Sequence, residues 1–404
     1  MPQMRSKNRV LSDKNLFGMA ALLAAHDYQV RWFEGEKGLD FSQSPPFEED
    51  LSKENQLQID AAVIRTVTKI NQHTLNYIPY VQAIVSASAG TDHVDTNLLN
   101  RKGIYFDNAA GSNARAVAEY VLTAIVKVVC LKNIPLANLS VGIIGVGAVG
   151  SEADKLLGAA GVTTILYDPP RAKRDSTFTS AEISELKKAD ILSFHTPLIT
   201  DGPDKTYHLF DEVGFWSDVD LKFLAVINAA RGGVLNELKL LTLKKDKVIE
   251  FLICDVWENE PLYNEPFRQA CLLATPHIAG YSLQAKLRAS WQCVLLLNNF
   301  FGKETHKDFD FWLNELLPKQ KTARSNSVYS HKDGSSLYDI LCSLNPIEVY
   351  HQKLVALDGF TSKEKSRKFK ELRIQESLRD EYAYIKIEES LLAQFPLMRV
   401  LQTR

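Results

Sequence analysis

Val141-Gly142-Ile143-Ile144-Gly145-Val146-Gly147-Ala148-Val149-Gly150 decides the fold of this chain. Residues 141–144 are an apolar, β-branched run that ends on Gly145, and an Ala- and Leu-rich stretch leaves Gly150. The pattern is a strand entering a glycine turn and a helix leaving it. Gly145 permits the tight turn, Gly147 lets backbone approach a pyrophosphate, and Gly150 lets helix and strand pack closely. The N–H groups of the first helical turn then face the phosphates. Alone, three glycines at this spacing are a weak signal; the strand before them and the helix after them make a dinucleotide fingerprint. Asp168 stands eighteen positions past Gly150, at the end of the next β-branched run. A carboxylate there accepts the adenosine ribose hydroxyls and repels a 2′-phosphate, so NAD is expected over NADP. Arg171 is the opposing signal, because it could meet such a phosphate. Glu152 suits the helix dipole but not a pyrophosphate, and is expected to point away.

Outward from this turn, short β-branched runs alternate with helical patterns. Upstream strands are expected at 10–11, 28–33, 61–65, 83–86 and 104–106, and downstream strands at 163–167, 191–194, 224–227, 251–254 and 272–274. Alternation of this kind predicts parallel sheets covered on both faces. Long helices are expected at 114–131, joining two α/β domains, and at 283–301, returning to the first. Past residue 303 the texture changes: 317–336 is polar and reads as a linker, and 363–382 is charged with an apolar spacing at Phe369, Leu372, Leu378 and Tyr382. Tyr384-Ile385-Lys386-Ile387 reads as a strand. The expected architecture is α/β: two doubly wound parallel-sheet (Rossmann- or flavodoxin-like) domains and a small C-terminal α+β domain. Boundaries are set at 1–110 completed by 282–302, at 111–281, and at 303–404.

Bulk properties narrow the function. At 404 residues the chain exceeds one ordinary core. A net charge of -2 gives no global basic field for nucleic acid or an anionic membrane, so an anionic substrate needs a local cluster of Arg and Lys. The five cysteines are scattered without a CxxC pair and lie in or beside apolar runs. They read as small buried hydrophobes of a reducing compartment, and no metal site is expected. The N-terminal Arg5, Lys7, Arg9 and Lys14 followed by the apolar run 16–25 imitates a targeting signal. Flanking strand patterns make that run the helix of a βαβ unit instead, and a cytoplasmic protein is expected. No apolar stretch is long enough to span a bilayer.

Three residues carry the chemistry. They sit in Ile227-Asn228-Ala229-Ala230-Arg231-Gly232-Gly233, Asp255-Val256-Trp257-Glu258-Asn259-Glu260-Pro261 and Thr275-Pro276-His277-Ile278-Ala279-Gly280. Arg231 can fork onto a carboxylate. His277 can take a hydroxyl proton near neutral pH. Glu260 can orient that histidine and favour its protonated form. A glycine turn, then Arg, Glu and His, suits hydride transfer from a 2-hydroxy acid. His195 also lies at a strand end but reads as lining a cofactor turn, and His93 as packing the turn at Gly90.

Together these residues resemble the D-isomer-specific 2-hydroxyacid dehydrogenases, and within them the branch that oxidises 4-phospho-D-erythronate for vitamin B6 synthesis. The resemblance runs over nearly the whole chain. It is most specific at Arg65-Thr66-Val67-Thr68-Lys69, Ser88-Ala89-Gly90-Thr91-Asp92-His93-Val94-Asp95, Asp168-Pro169-Pro170-Arg171 and His277-Ile278-Ala279-Gly280-Tyr281. It implies catalytic roles for Arg231, Glu260 and His277. It implies substrate contacts at Thr66, Ser88 and Tyr281, and NAD contacts at Asp168, Thr196, Asp255 and Gly280 beside Gly145, Gly147 and Gly150. It also implies a phosphorylated hydroxy-acid substrate, with Arg65 and Lys69 as the nearest cations for its phosphate, and a homodimer formed through the C-terminal domain. Two other readings remain: an enzyme for another acid such as 3-phosphoglycerate, and a non-catalytic NADH-sensing binding protein on the same fold. The chain departs from the family at Ala230, where many relatives have Cys, and at Asn236, which replaces an acid. It departs again at Arg379-Asp380-Glu381-Tyr382, which replaces a more basic pattern.

Overall fold

The computed structural model describes residues 8–35, 59–211, 214–218, 220–305, 307–316, 329, 335–374 and 378–403. The chain divides into two compact units, Met1–Asn113 with Gln284–Ser325, and Ala114–Leu283 with Asn326–Arg404.

The first unit is built on a five-stranded sheet. Its strands are β1 (Arg9–Asp13), β2 (Gln29–Phe33), β3 (Ala61–Ile64), β4 (Ala83–Ser86) and β5 (Tyr105–Asn108), in the order β2-β1-β3-β4-β5. All pairings are parallel, and this is the flavodoxin-like order. Every residue of β3 and β4 is buried, as continuous apolar runs in a parallel sheet require. The helix Met19–Ala25 joins β1 to β2 and buries Met19, Leu22 and Leu23, so the signal-like apolar run is a βαβ helix. The helix Leu283–Phe301 belongs mostly to this unit: Tyr28 donates to Asn298 Oδ1 at 2.9 Å and Tyr105 stacks on Phe300 at 5.1 Å.

The second unit carries the glycine turn. Its strands are β6 (Ser140–Ile144), β7 (Thr163–Tyr167), β8 (Ile191–Phe194), β9 (Phe223–Asn228), β10 (Ile249–Cys254) and β11 (Cys271–Ala274). They form one parallel sheet in the order β11-β10-β9-β8-β6-β7. Chain direction reverses across the sheet between β6 and β8, which opens a crevice at their carboxyl ends. The helix Ala114–Lys132 is apolar almost all round and nearly wholly buried, which marks it as a core helix of this unit.

The C-terminal part departs from expectation. Residues 303–404 do not separate as a third unit: they divide between the other two near residue 325. Tyr384-Ile385-Lys386-Ile387 is not a strand. Tyr382–Tyr384 is a short 3-10 turn and Ile387 makes a single bridge to Tyr329, so the described C-terminal elements are helical. Most of the polar stretch 317–336 lies outside the described residues. The apolar spacing is used within the chain. Ile340, Leu341, Leu344, Tyr382, Leu391, Met398 and Leu401 join the core cluster of the Ala114–Lys132 helix, and Phe369 joins the cluster around Trp257. The departing Arg379-Asp380-Glu381-Tyr382 segment is tied there by charge as well as packing. Arg379 donates to buried Glu119 at 2.6 Å, the Tyr382 N–H donates to Glu119 at 2.9 Å, and Ser282 donates to Glu381 at 2.9 Å. One cysteine also departs: Cys130 is exposed, on the last turn of its helix, while Cys254, Cys271 and Cys293 are buried.

Candidate active site

All the second unit's candidate residues stand at the carboxyl ends of its strands. Gly145 follows β6, Asp168 follows β7, Thr196 follows β8, Arg231 follows β9, Asp255 and Glu260 follow β10, and His277 follows β11. Parallel alignment puts every carboxyl end on one edge, so a sequence-scattered set becomes one rim.

The glycine turn has the shape a pyrophosphate needs. Gly145 has φ of +87°, and a Cβ there would meet the Thr196 nitrogen at 2.8 Å. At Gly150 a Cβ would meet the Gly145 oxygen at 2.0 Å, so the helix Ala148–Ala159 packs directly on the turn. A Cβ at Gly147 would meet no protein atom, which leaves the helix N-terminus open to a ligand. The Thr196 hydroxyl is buried beside this turn with no protein partner. Glu152 turns aside to Arg115 at 3.1 Å. Asp168 fixes the turn from outside: Oδ2 accepts from the Val146 N–H at 2.8 Å and Oδ1 from the Arg171 N–H at 2.9 Å. Arg171 donates to Val146 O at 2.7 Å, pairs with Asp175 at 3.2 Å and lies over the Phe178 ring at 4.3 Å. Its guanidinium is thus committed to the turn and to a carboxylate of its own.

Asp168→Ala should therefore weaken NAD by about 10- to 100-fold, the worth of a charge-assisted hydrogen bond. It should also narrow the gap to NADP. Titration of each nucleotide by protein fluorescence measures both; a wild type that prefers NADP would assign the ribose subsite to Arg171.

On the other side of the sheet, His277 Nδ1 lies 2.8 Å from Glu260 Oε2. Glu260 Oε1 accepts from the Trp257 N–H at 3.0 Å, so the carboxylate is itself held. Burial alone would raise the Glu260 carboxyl. Instead, His277, the Trp257 N–H and Arg373 bring it below its usual value. It stays ionised and can face an imidazolium. His277 adopts φ of +58°, rare for a side chain with a Cβ, and Asp255 holds that conformation. The Asp255 carboxylate accepts from Thr275 Oγ1 at 2.6 Å and from the N–H groups of Ile278 and Ala279 at 2.8 and 2.9 Å. Roughly three of its four acceptor positions are taken. The residue named as a cofactor contact is thus first the clamp of the His277 turn, just before Gly280 and Tyr281. Tyr120 and Trp257 brace the same turn through Thr275, at 2.8 and 3.0 Å; sequence reasoning found neither.

Arg231 sits two residues before Gly233 on a turn pressed against the segment that follows β10: a Cβ on Gly232 would meet Trp257 O at 1.8 Å. Asn228 braces the turn by accepting from the Ala230 N–H and donating to Arg231 O, both at 3.1 Å. Asn236 caps the helix Glu237–Lys245, accepting from the Lys239 N–H, so its amide replaces an acid in a structural position. His195 is no match for His277. Its ring donates to or accepts from Ser193 Oγ at 2.9 Å, its other nitrogen is buried without a partner, and burial pushes it down to about 4.

Thr66 and Ser88 lie in the first unit, at the carboxyl ends of β3 and β4. Thr66 is exposed. Ser88 Oγ donates to Gly90 O at 2.8 Å and meets Ser86 Oγ at 2.8 Å, and Ser86 meets His93 Nε2 at 2.9 Å. His93 thus supports the Ser88–Gly90 turn. Arg65, a candidate for a phosphate, donates to buried Asp13 at 2.6 Å.

The comparisons fit this geometry. Residues 126–279 match the family model described as D-isomer specific 2-hydroxyacid dehydrogenase, NAD binding domain. The erythronate-4-phosphate dehydrogenase of Escherichia coli strain UMN026 is 42% identical over 267 residues, covering 66% of this chain and 68% of that one. The chain belongs to the D-isomer specific 2-hydroxyacid dehydrogenases. A Shigella flexneri protein of the same name is 41% identical over the same length and shares. Among solved structures, D-mandelate dehydrogenase of Rhodotorula graminis aligns with a TM-score of 0.58 at 19% identity, covering 74% of this chain and 96% of that one. The NAD-bound 3-phosphoglycerate dehydrogenase of Entamoeba histolytica aligns at 0.55 and 20% identity, covering 74% and 97%. At such identities these two speak for the fold. The dehydrogenase uses NAD, and the glycine turn, the open helix N-terminus and the orphan Thr196 hydroxyl fit it.

Proposed function

We propose that this dehydrogenase oxidises 4-phospho-D-erythronate at C2, giving (R)-3-hydroxy-2-oxo-4-phosphooxybutanoate, in the synthesis of vitamin B6. The His277–Glu260 pair carries the reading. Its 2.8 Å bond occupies Nδ1 and turns Nε2 to substrate as the acceptor nitrogen. Bound NAD⁺ supplies the hydride acceptor. Arg231 anchors the carboxylate and polarises the forming carbonyl. His277 Nε2 takes the C2 hydroxyl proton as the C–O bond gains double-bond character. Glu260, held ionised, stabilises the imidazolium that results. The names of the relatives supply the substrate, since both are erythronate-4-phosphate dehydrogenases.

Thr66, Ser88 and Tyr281 complete the substrate contacts in this reading, and Asp255 and Gly280 the cofactor side. A cytoplasmic homodimer formed through residues 303–404 belongs to it too. Because the apolar stripe is spent inside the chain, such a contact must use other surface, and Phe311, Val349, Phe360 and Ile374 are the exposed large apolar residues there among the described residues. The test is NADH formation, followed by absorbance, with 4-phosphoerythronate and 3-phosphoglycerate in parallel. A kcat/KM at least tenfold higher for the first is expected. Preference for the second moves the enzyme to another acid, and no turnover of either makes it a binding protein.

A further inference from the structure

The substrate's phosphate needs a cation, and the C-terminal segment brings one into the second unit. The helix Ser362–Arg373 starts on a capping box formed by Thr361 and Glu364. Two contacts root it on that unit. Phe369 is fully buried with its ring 6.3 Å from Tyr263, and Lys365 pairs with Glu265 at 2.7 Å. Arg373 is the last residue of the helix, four positions beyond Phe369 and therefore on the same inward face.

Arg373 lies within electrostatic range of the catalytic side chains. It hydrogen-bonds Tyr281 and lies close enough to act electrostatically on Glu260 and Asp255. Its Nε is shut off from solvent and has no partner. A buried guanidinium donor without an acceptor is costly, and such sites persist where a ligand supplies the acceptor. Glu260 does not fill the role, because its two oxygens accept from Trp257 and face His277. Arg373 thus holds a buried donor without an acceptor in the neighbourhood of Tyr281 and Glu260.

We infer that Arg373 binds the substrate's phosphate and selects a phosphorylated hydroxy acid over a plain one. This rests on the proposed function for the identity of the substrate, but not for the anion site itself. The division of labour is chemical. The carboxylate adjoins the reacting C2 and must lie with Arg231, whereas the phosphate, at the far end of a four-carbon acid, needs a second fork. Arg65 is already joined to Asp13. In sequence, Arg373 looks like one more cation of a charged helix.

The experiment compares full-length wild type, R373K and R373Q on 4-phosphoerythronate and on D-erythronate, which lacks the phosphate. Losing a charge-assisted fork should raise KM for the phosphorylated acid about 10- to 100-fold in R373Q, and less in R373K. kcat/KM should fall at least tenfold further on 4-phosphoerythronate than on D-erythronate, where any loss reports only the Arg373 charge acting on Glu260. An equal loss on both acids would overturn the inference, since Arg373 would then only anchor its helix. So would an unchanged KM with a displaced pH profile of kcat, which would place Arg373 behind Glu260. If wild type turns over neither acid, the functional reading fails, and calorimetry with inorganic phosphate on the NAD-loaded protein decides the anion site separately. Phosphate binding that weakens at least tenfold from wild type to R373Q supports it, and equal or absent binding in both overturns it.

Discussion

His277→Asn is expected to lower kcat by about 10²- to 10⁴-fold while leaving folding and NAD affinity close to wild type, because general acid–base catalysis is worth about that much. The amide keeps the approximate size of the ring near Glu260 but has no nitrogen that can accept a proton. The backbone should hold, since Asp255 fixes the turn through Thr275, Ile278 and Ala279 rather than through the His277 side chain. Asparagine also tolerates the positive φ at this position better than most residues do. The measurement is a stopped or continuous NADH assay at saturating substrate, with nucleotide titration as the folding check. His195→Asn is the control. Its ring is desolvated and pushed down to about 4, so it is neutral near pH 7 with no carboxylate to stabilise a proton, and its loss should act through the neighbouring Thr196 turn. A larger fall in kcat at 195 than at 277 would reverse the assignment.

The parallel sheets were legible because strands buried on both faces are written as unbroken apolar runs. The runs at 83–86 and 191–194 match β4 and β8, which are buried throughout, and the run at 163–167 matches the less buried edge strand β7. The glycine turn was legible for a steric reason: Gly145 and Gly150 stand where any Cβ would strike backbone. The pairing of Glu260 with His277 could be foreseen as chemistry, and the parallel sheet then brings the ends of β10 and β11 together. Other features depend on partners that one-dimensional spacing does not reveal. Asp255 reads as a ligand contact until the donors of 275–279 are seen to converge on it. The stripe at Phe369 and Tyr382 shows that a surface must be covered, but not whether by this chain or by another copy. Tyr384-Ile385-Lys386-Ile387 has strand composition, yet its partner is a lone bridge at Tyr329, and four residues with one bridge cannot sustain a strand. Cys130 sits in an apolar run, but it lies on the solvent side of the helix end.

That ambiguity gives the second large expectation. A chain ended at Ser325 should fail to yield a folded NAD-binding protein, rather than give a well-behaved monomer. If residues 326–404 served only to join two copies, their removal would uncover a surface built to be polar or modestly apolar in the free subunit. They instead complete its interior. Tyr382 is fully buried and its hydroxyl meets Thr123 at 2.6 Å on the Ala114–Lys132 helix. Ile340, Leu341, Ile347, Leu354, Phe369, Met398 and Leu401 are buried as well. Large apolar side chains of this kind contribute about 1.5–3 kcal/mol each when buried. Seven or eight of them together, roughly 10–24 kcal/mol, match or exceed the stability of about 5–15 kcal/mol available to an ordinary domain. The charge loss adds to this. Glu119 is fully buried and keeps only Arg115 once Arg379 and the Tyr382 N–H are gone, and a buried carboxylate stripped of partners is strongly destabilising. A cut near Lys303 should do the same and also remove the helix Phe309–Leu316 from the first unit. Soluble yield, the cooperativity of thermal melting and the NAD-induced rise in midpoint measure the outcome for both truncations. A Ser325 truncation that melts sharply, is stabilised by NAD and merely changes mass in light scattering would return residues 326–404 to the role of a detachable dimerisation module.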